Sequence, residues 1–368
     1  MSPVSAPRDA TEHPAGVDGE PQGEPVGRVD IVVPTIGRPS LGRLLDSLAA
    51  SVGPLPGSVV LVDDRPPGSG PLLQRVPERL RDRLRVVEGA AAGPAAARNR
   101  GWRTAAAEWV AFLDDDVEVG PCWLQQLDDD LRGAEADADT GGVIGGVQGR
   151  IRVPKPAQRP PTDWERNVDG LEQAVWATAD LAYRRAALTA VGGFDERFSR
   201  AYREDADLGL RVTERGWRIT LGAREVTHPV RPADRWVSLR LQAGNADDAL
   251  LRVLHGPDWR RRARIGAGRR PRHALATVAA AVAAVATALG RRRVGAAAAA
   301  VWATETALFA WARIRPGPRS SAEVATMVLT SVAIPPLAIW HWLRGRQRAV
   351  ALVRPPPTGV PEVADRRA

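Results

Sequence analysis

Short apolar runs alternate with amphipathic segments from residue 29 to about residue 222. The apolar runs that have the length and β-branched content of buried strands lie at 29–33, 59–62, 84–87 and 109–113. The helical segments between them lie at 41–50, 94–107 and 121–131. Short strands that alternate with helices predict a doubly wound, mostly parallel sheet flanked by helices.

The pattern continues after residue 141 with a different composition. A Gly-rich strand is predicted within 141–153, and a Pro-rich loop follows at 154–163. A further strand is predicted at 174–183, and helices are predicted at 185–191 and 204–216. These segments extend the same α/β domain.

Three long apolar segments, at 273–290, 294–312 and 322–343, make the last third of the chain different. Each is flanked by arginines, and their lengths approach the roughly 20 residues that a membrane span needs. Alanine contributes little to insertion, however, and Glu305 lies inside the second segment. Two interpretations stay open: a soluble or peripheral helical bundle, and true spans or a re-entrant hairpin.

These patterns predict four regions along the 368 residues. Residues 1–27 and 346–368 are predicted to be disordered tails, since the first is rich in Pro, Gly, Glu and Ala and neither carries an apolar core. Residues 28–235 form the α/β domain, and residues 236–345 form a C-terminal α-helical region that is a candidate for membrane association.

The formal net charge of +8 predicts an anionic partner. Nucleotide phosphates, anionic lipid and nucleic acid all fit that charge. We expect no nucleic-acid partner, because the chain shows no DNA- or RNA-binding motif and has only 4 Phe and 2 Tyr for base stacking. The single cysteine, Cys122, excludes an intramolecular disulfide and a Cys-rich zinc site.

Polar residues follow three of the predicted strands: Pro34-Thr35, Asp63-Asp64 and Asp114-Asp115-Asp116. In doubly wound sheets ligands bind outside the carboxyl ends of the strands, so these residues are expected to converge on one crevice. Alternate side chains of extended backbone share a face, so Asp114 and Asp116 can reach one ion while Asp115 points away. Mg²⁺ or Mn²⁺ takes such hard oxygen ligands together with substrate phosphates. An acidic turn without a ligand is the alternative for the triplet alone.

The ordered series of motifs resembles the family 2 glycosyltransferases, which have the GT-A fold. The resemblance covers roughly residues 28–230 and is carried by segments 29–35 with Arg38, 60–64, 97–101, 112–116, 192–196 and 203–208. The resemblance implies an inverting transferase that moves a sugar from a nucleotide-sugar donor to an acceptor hydroxyl. The C-terminal third takes no part in it.

The resemblance also implies a donor site. Asp63 or Asp64 would receive the nucleobase beside Pro34, Thr35 and Arg38, and a carboxylate there suits uracil, thymine or guanine. Arg98 would pair with a phosphate. Asp114 and Asp115 would contact the donor, and the metal ligands would be Asp114, Asp116 and His228.

On the acceptor side the resemblance makes Asp205 the general base. The other residues predicted to lie there are Trp176, Asp180, Tyr202 and Glu204. Trp164, Trp176 and Tyr202 could form an aromatic platform for a sugar, or could equally be core residues. The dipole at a helix N-terminus is the alternative explanation for the acids at 204–207.

The acceptor stays open between a glycan, a lipid-linked molecule and a small molecule. Two other functions also remain: a nucleotidyltransferase acting on a sugar phosphate, and a non-catalytic membrane-bound scaffold with a nucleotide-binding domain. We expect a cytoplasmic protein, with attachment to the inner face of the cell membrane, where an anionic surface would be a partner, as one alternative.

Overall fold

The computed structural model describes residues 27–137 and 142–353 of the chain. Its centre is one eight-stranded sheet with the strand order β3-β2-β1-β4-β7-β6-β8-β5. The strands are β1 (Val29–Thr35), β2 (Val59–Asp63), β3 (Leu84–Glu88), β4 (Trp109–Leu113), β5 (Glu118–Val119), β6 (Ile144–Arg152), β7 (Asp180–Arg184) and β8 (Arg218–Thr227). Most residues of the two predicted tails lie outside the described residues.

Half of the sheet is parallel, as the alternating pattern predicts. Strands β3, β2, β1 and β4 run side by side in one direction, and their registers bring Thr35 opposite Asp63. The carboxyl ends of β1, β2 and β4 therefore share one edge, which carries the predicted polar residues.

The other half of the sheet is mixed. Strand β7 pairs antiparallel with β4, β6 pairs antiparallel with β7, and β8 runs parallel to β6. The strand predicted at 174–183 begins only at Asp180, because Trp176 has a positive φ of 65° that interrupts extended backbone.

Helices cover both faces of the sheet. In the α/β part they are α1 (Ser40–Ala50), α2 (Pro94–Arg103), α3 (Trp123–Ala136), α4 (Asp163–Asp169), α5 (Arg185–Val191) and α6 (Glu204–Glu214). Strand residues alternate between the two faces, so Ile31 packs in the core with α1 and α3 while Val32 packs with α2, α5 and α6. Both faces of the sheet are thus buried.

Helix α2 is shorter than the predicted segment 94–107. It ends at Arg103 because the next backbone N–H groups turn towards a buried carboxylate. The N–H groups of Ala106 and Ala107 donate to Oδ2 of Asp30 at 2.8 and 2.9 Å. Such a side-chain acceptor competes with continuation of the helix.

The helices of the last third are α7 (Val237–Arg240), α8 (Asn245–His255), α9 (Trp259–Arg262), α10 (Arg270–Ala288), α11 (Arg292–Ile314) and α12 (Ser321–Val353). Residues 346–353, predicted as part of the tail, are the last turns of α12. Leu251 of α8 and Ala349 of α12 belong to the core of the α/β part. The helical region is therefore packed against the sheet domain.

Helices α10, α11 and α12 are each long and apolar enough to cross a membrane by length and composition. Only 17% and 11% of the apolar windows of α10 and α11 are buried within the protein. Arg313, near the end of α11, is buried and donates to Asp163 at 2.7 Å and to Thr330 at 2.7 Å. This contact ties the base of the α10–α11 hairpin to α4 and α12.

Candidate active site

A cleft of about 1260 Å³ lies at the carboxyl edge of the parallel strands. Its lining includes most of the residues expected from the sequence: Pro34, Thr35, Arg38, Asp64, Arg98, Asp114, Asp115, Asp116, Trp164, Tyr202, Asp205 and His228. The sheet topology brings these side chains together from positions up to about two hundred residues apart. Of the residues expected to converge on one crevice, Pro34, Thr35, Asp64 and Asp114–Asp116 line the cleft, and Asp63 does not.

The cleft holds a set of groups that fits a divalent cation. One ligand atom each from Asp114, Asp116 and His228 lie within 4.8 Å of one another. The backbone N–H of His228 donates to the Arg152 carbonyl at 2.8 Å, which places the ring, and its buried Nδ1 has no hydrogen-bond partner among the described residues. Two carboxylates and an imidazole form a donor set that suits Mn²⁺ and accommodates Mg²⁺ less well. The residues present therefore fit the predicted metal.

Arg231, which the sequence motifs do not reveal, balances part of this negative charge. Its Nε lies 3.0 Å from Oδ2 of Asp116. Burial and the neighbouring Asp114 raise the pKa of Asp116, while His228 and Arg231 oppose that rise. The cost of keeping Asp116 ionised falls when a cation is near it.

Asp115 turns away from the other two carboxylates, as alternation along the backbone predicts. It is 1% exposed and accepts hydrogen bonds from Thr35 Oγ1 at 2.6 Å and from Arg38 at 2.5 Å. Its carboxylate is thus used to join the loop after β1 to the end of β4. Donor contact by Asp115, expected from the resemblance, would have to compete with these two bonds.

Arg98 connects the metal side of the cleft with the first turn of α6. It is 2% exposed, and its guanidinium donates to Asp114 at 2.7 Å and to Glu204 at 2.8 Å. Because both carboxylates already occupy this guanidinium, the structure supports a positioning role more directly than the predicted phosphate contact.

Glu204 does not reach the cleft, in contrast to its predicted acceptor-side position. It is buried beside Arg98, and burial together with the charge of Asp205 raises the pKa of Glu204 to about 8. Its second oxygen, Oε2, is buried without a hydrogen-bond partner among the described residues. The role of Glu204 in the structure is thus to accept a buried hydrogen bond from Arg98.

Asp205 is the carboxylate of α6 that faces the cleft. Arg203, the residue at the helix N-cap, has a φ of 78°, and this left-handed turn directs the first helical residues. Asp205 accepts a hydrogen bond from the N–H of Ala206 at 2.7 Å and has no direct ion-pair partner among the described side chains. Burial raises the pKa of Asp205, against the opposing effects of that N–H and of Arg203. A half-buried, unpaired carboxylate of raised pKa has the properties of a general base.

Asp63 and Asp64 have different positions and different partners. Asp64 lines the cleft and accepts from the N–H groups of Ala92 and Gly93 at 3.2 and 2.9 Å, which fixes the loop before α2. Asp63 is outside the cleft lining and pairs with Arg65 at 2.6 Å, which lowers the pKa of Asp63. Of the two candidates for the nucleobase, only Asp64 borders the cleft.

Asp180 and Trp176 do not lie at the cleft, and their predicted acceptor roles are corrected. Asp180 is fully buried and accepts from Arg224 and Trp123, each at 2.8 Å. Trp176 is buried against Gly209 of α6, where a Cβ would overlap the indole ring. The partners of both residues lie far away in sequence, so neither role could be recognised from local pattern.

Tyr202 and Trp164 are the two aromatic residues of the expected platform that do line the cleft. The guanidinium of Arg203 lies 4.4 Å from the centre of the Tyr202 ring. Trp164 donates through Nε1 to the carbonyl of Arg231 at 2.7 Å. Both rings are therefore held in place by neighbouring arginines.

Residues 30–191 match the family model described as Glycosyl transferase family 2. The domain that contains residues 30–191 therefore belongs to glycosyltransferase family 2. The matched range contains β1, β4 and the Asp114–Asp116 triplet. It ends before Asp205 and His228, so the roles of these two residues stay predictions.

Curated relatives share part of their length with this chain. It is 30% identical over 246 residues to the O-antigen biosynthesis protein RfbC of Myxococcus xanthus, a match that covers 57% of the chain and 19% of the relative. It is 29% identical over 231 residues to a validoxylamine A glucosyltransferase of Streptomyces hygroscopicus subsp. jinggangensis, covering 52% of the chain and 53% of the relative. The chain thus spans about half, or less, of these relatives' length.

Solved structures with a related outline include the mannosyltransferase PcManGT from Pyrobaculum calidifontis in complex with GDP-Man and Mn²⁺. That match has 18% identity and a TM-score of 0.47 and covers 89% of this chain and 86% of the other. S. aureus TarS 1-349 in complex with UDP matches at 15% identity with a TM-score of 0.43, covering 88% of this chain and 91% of the other.

Proposed function

We propose that the chain transfers a sugar from a nucleotide-diphosphate sugar to an acceptor hydroxyl, with inversion at the anomeric carbon and with the help of Mg²⁺ or Mn²⁺. The observation that carries the proposal is the arrangement of the cleft. The same cavity of a family 2 domain is lined by three side chains whose ligand atoms fit a metal ion and by Asp205, a carboxylate with no ion-pair partner among the described residues.

Asp114, Asp116 and His228 would hold the cation. When bound, such an ion acts as a Lewis acid that stabilises the negative charge of the leaving diphosphate. Arg231 adds a second positive charge at this end of the cleft, beside Asp116. Arg98 keeps Asp114 in position from the protein interior.

Asp205 would accept the proton of the acceptor hydroxyl. As the new bond forms between the acceptor oxygen and the anomeric carbon, the bond from that carbon to the diphosphate oxygen breaks and the hydroxyl proton moves to the Asp205 carboxylate. The raised pKa of Asp205 makes it a stronger base than an exposed aspartate. One displacement of this kind inverts the anomeric configuration.

The names of the relatives leave the acceptor class open. One relative is called an O-antigen biosynthesis protein and another a validoxylamine A glucosyltransferase, which are different settings for sugar transfer. We place the protein on the cytoplasmic side, with helices α10 and α11 in contact with the membrane, since both expose most of their apolar surface.

The test begins with the full chain and a thermal-shift screen of nucleoside diphosphates and nucleotide-sugars with and without Mn²⁺. A ligand of the native state raises the apparent stability by mass action. The donor found in this way is then supplied with a membrane extract as acceptor, and release of nucleoside diphosphate is measured. Asp205→Asn should retain donor binding and lose turnover, whereas Asp46→Asn, an exposed carboxylate on α1, should behave as the parent. Full turnover by the Asp205→Asn protein would refute the proposed base.

A further inference from the structure

The part of the cleft lining that comes from the last third of the chain is rich in arginine. From residue 231 onward the charged residues of the lining are Arg231, Arg240, Asp248, Arg260, Arg269 and Arg270. This wall lies outside the region that resembles family 2 enzymes. Its positive charge faces the same cavity as Asp205.

Most of these arginines have acidic partners, but two do not. Arg231 contacts Asp116, Arg240 contacts Asp234 at 2.7 Å, and Arg260 contacts Asp248. Arg269 and Arg270 have no carboxylate partner within residues 27–137 and 142–353. Arg269 is exposed and Arg270 is half-buried. A half-buried guanidinium without a counter-ion is unfavourable, so an anion bound at Arg270, beside the free charge of Arg269, would stabilise this part of the wall.

Aromatic rings hold these two side chains in place. The Arg270 guanidinium carbon lies 4.6 Å from the centre of the Trp342 ring, and that of Arg269 lies 5.4 Å from the centre of the Phe309 ring. Gly268 contributes as well, because a Cβ there would come within 3.2 Å of a terminal nitrogen of Arg260. The guanidinium of Arg260 is thus able to lie against the backbone next to Arg269.

The same wall is the starting point of the exposed apolar surface. Helix α10 begins at Arg270. Its large apolar side chains beyond the first turn are exposed, and so is the residue that follows the helix: Leu275, Val278, Val282, Val285 and, after the helix, Leu289. Helix α11, its partner in the hairpin, exposes Val294, Val301, Leu308 and Trp311. A cationic wall that continues into an apolar hairpin is complementary to an amphiphile with an anionic head.

We infer that Arg269 and Arg270, with Arg260 beside them, bind the phosphate group of a lipid-linked acceptor whose hydrocarbon chain lies along the α10–α11 hairpin. The inference rests on the proposed function and names its acceptor class. The phosphate would lie on the C-terminal wall of the cleft, and the donor diphosphate would lie at the Asp114–Asp116 side. The acceptor's reacting oxygen would then be directed into the cavity that Asp205 borders.

The test measures binding of farnesyl phosphate to the full chain in neutral detergent micelles with EDTA, so that no metal can hold a phosphate at the donor side. Farnesol and inorganic phosphate are the comparison probes. We expect farnesyl phosphate to bind at least tenfold more tightly than either. The Arg269→Ala/Arg270→Ala protein should bind it at least tenfold more weakly. Arg272→Ala, an exposed arginine of α10 outside the cleft lining, should match the parent protein.

Equal binding of farnesyl phosphate by the double variant and the parent would overturn the inference, as would equal binding of farnesyl phosphate and farnesol. Binding of inorganic phosphate as strong as that of farnesyl phosphate would also overturn it, since the lipid chain would then contribute nothing. Nucleotide-sugar binding with Mn²⁺ is measured on the same proteins. If the parent protein does not bind nucleotide-sugar with Mn²⁺, the proposed function is contradicted. If the parent protein binds nucleotide-sugar but the lipid-phosphate test fails, this inference alone is contradicted.

Discussion

At the scale of single residues, the cleft depends on how each carboxylate is paired. Asp115 is held by Thr35 and Arg38, and Glu204 is held by Arg98. Within the described ranges, the Asp205 carboxylate has only a backbone N–H as its hydrogen-bond partner. The hydrogen-bond partners therefore distinguish Asp115 and Glu204, which have structural roles, from Asp205, which we propose accepts a proton.

Replacing Asp205 with Asn should lower kcat by about a hundredfold to ten-thousandfold, the usual contribution of a general base. Because burial raises the pKa of Asp205, the rate should fall on acidification at a pH above that expected for an ordinary aspartate. A pH profile of kcat/KM measures this fall. An unchanged kcat in the variant would show that another group takes the proton.

Glu204 should make the protein less stable as the pH rises. Its pKa is about 8 in the folded protein and about 4.5 for the unperturbed group, so between these values the unfolded chain binds fewer protons. The stabilising contribution of the protonated form is complete below about pH 4.5 and is lost as the pH rises through about 8. The thermal midpoint of Glu204→Gln should therefore depend less on pH between 5 and 8 than that of the parent. Parallel curves would contradict this explanation.

The two carboxylates of the candidate metal site can be predicted from the sequence because they directly follow an apolar strand. Asp114 and Asp116 were assigned to one face from backbone alternation, and the structure brings them to His228. Asp180 was misassigned because its counter-ion, Arg224, lies 44 residues away and is invisible to local pattern. Arg231 was missed for the same reason: its relation to Asp116 exists only in the folded chain.

At the scale of elements, contacts between neighbours decide where helices and strands begin and end. The parallel strands were placed correctly because their apolar runs are continuous. Strand β7 was predicted too long, since the positive φ of Trp176 results from its packing against α6 and not from its own propensity. The directions of β6, β7 and β8 cannot be predicted from the sequence pattern either, because they are set by pairing between strands that are distant in the chain.

Two helical glycines should respond oppositely to alanine. A Cβ at Gly209 of α6 would overlap the Trp176 ring, so Gly209→Ala should destabilise the fold by about 1–3 kcal/mol through overpacking. At Gly133 of α3 no atom of the part of the chain that the structure describes lies within 4 Å of an added Cβ, and Gly133→Ala should stabilise by up to about 1 kcal/mol through helix propensity. Chemical denaturation measures both values. A stabilised Gly209→Ala protein would show that Trp176 is not packed as described.

At the scale of the whole molecule, a charged cleft is joined to an apolar hairpin. Sequence alone left a soluble bundle and a membrane-bound region open for α10–α12. The proposed membrane contact rests on the hairpin, which exposes most of its apolar windows while Arg313 fixes its base to the sheet domain.

The full chain should therefore float with lipid vesicles and remain bound in 1 M salt, where charge attraction is screened beyond about 3 Å. The Val282→Asp/Val285→Asp protein should lose this binding, since both side chains are exposed apolar residues of α10. Val52→Asp, an exposed valine outside the hairpin, is the matched control. Release of the parent protein from the vesicles by salt would show that charge attraction, and not the apolar hairpin, holds it there.

Metal-dependent binding of the donor tests the central claim most directly, because it needs no knowledge of the acceptor. Calorimetric titration of the full chain with the nucleoside diphosphate selected by the thermal-shift screen should show binding at least tenfold tighter with Mn²⁺ than with EDTA. Asp116→Asn should lose that difference, and Asp205→Asn should keep it. Binding that is independent of Mn²⁺, or an Asp116→Asn protein that retains the full metal effect, would contradict the assignment of the Asp114–Asp116–His228 cluster.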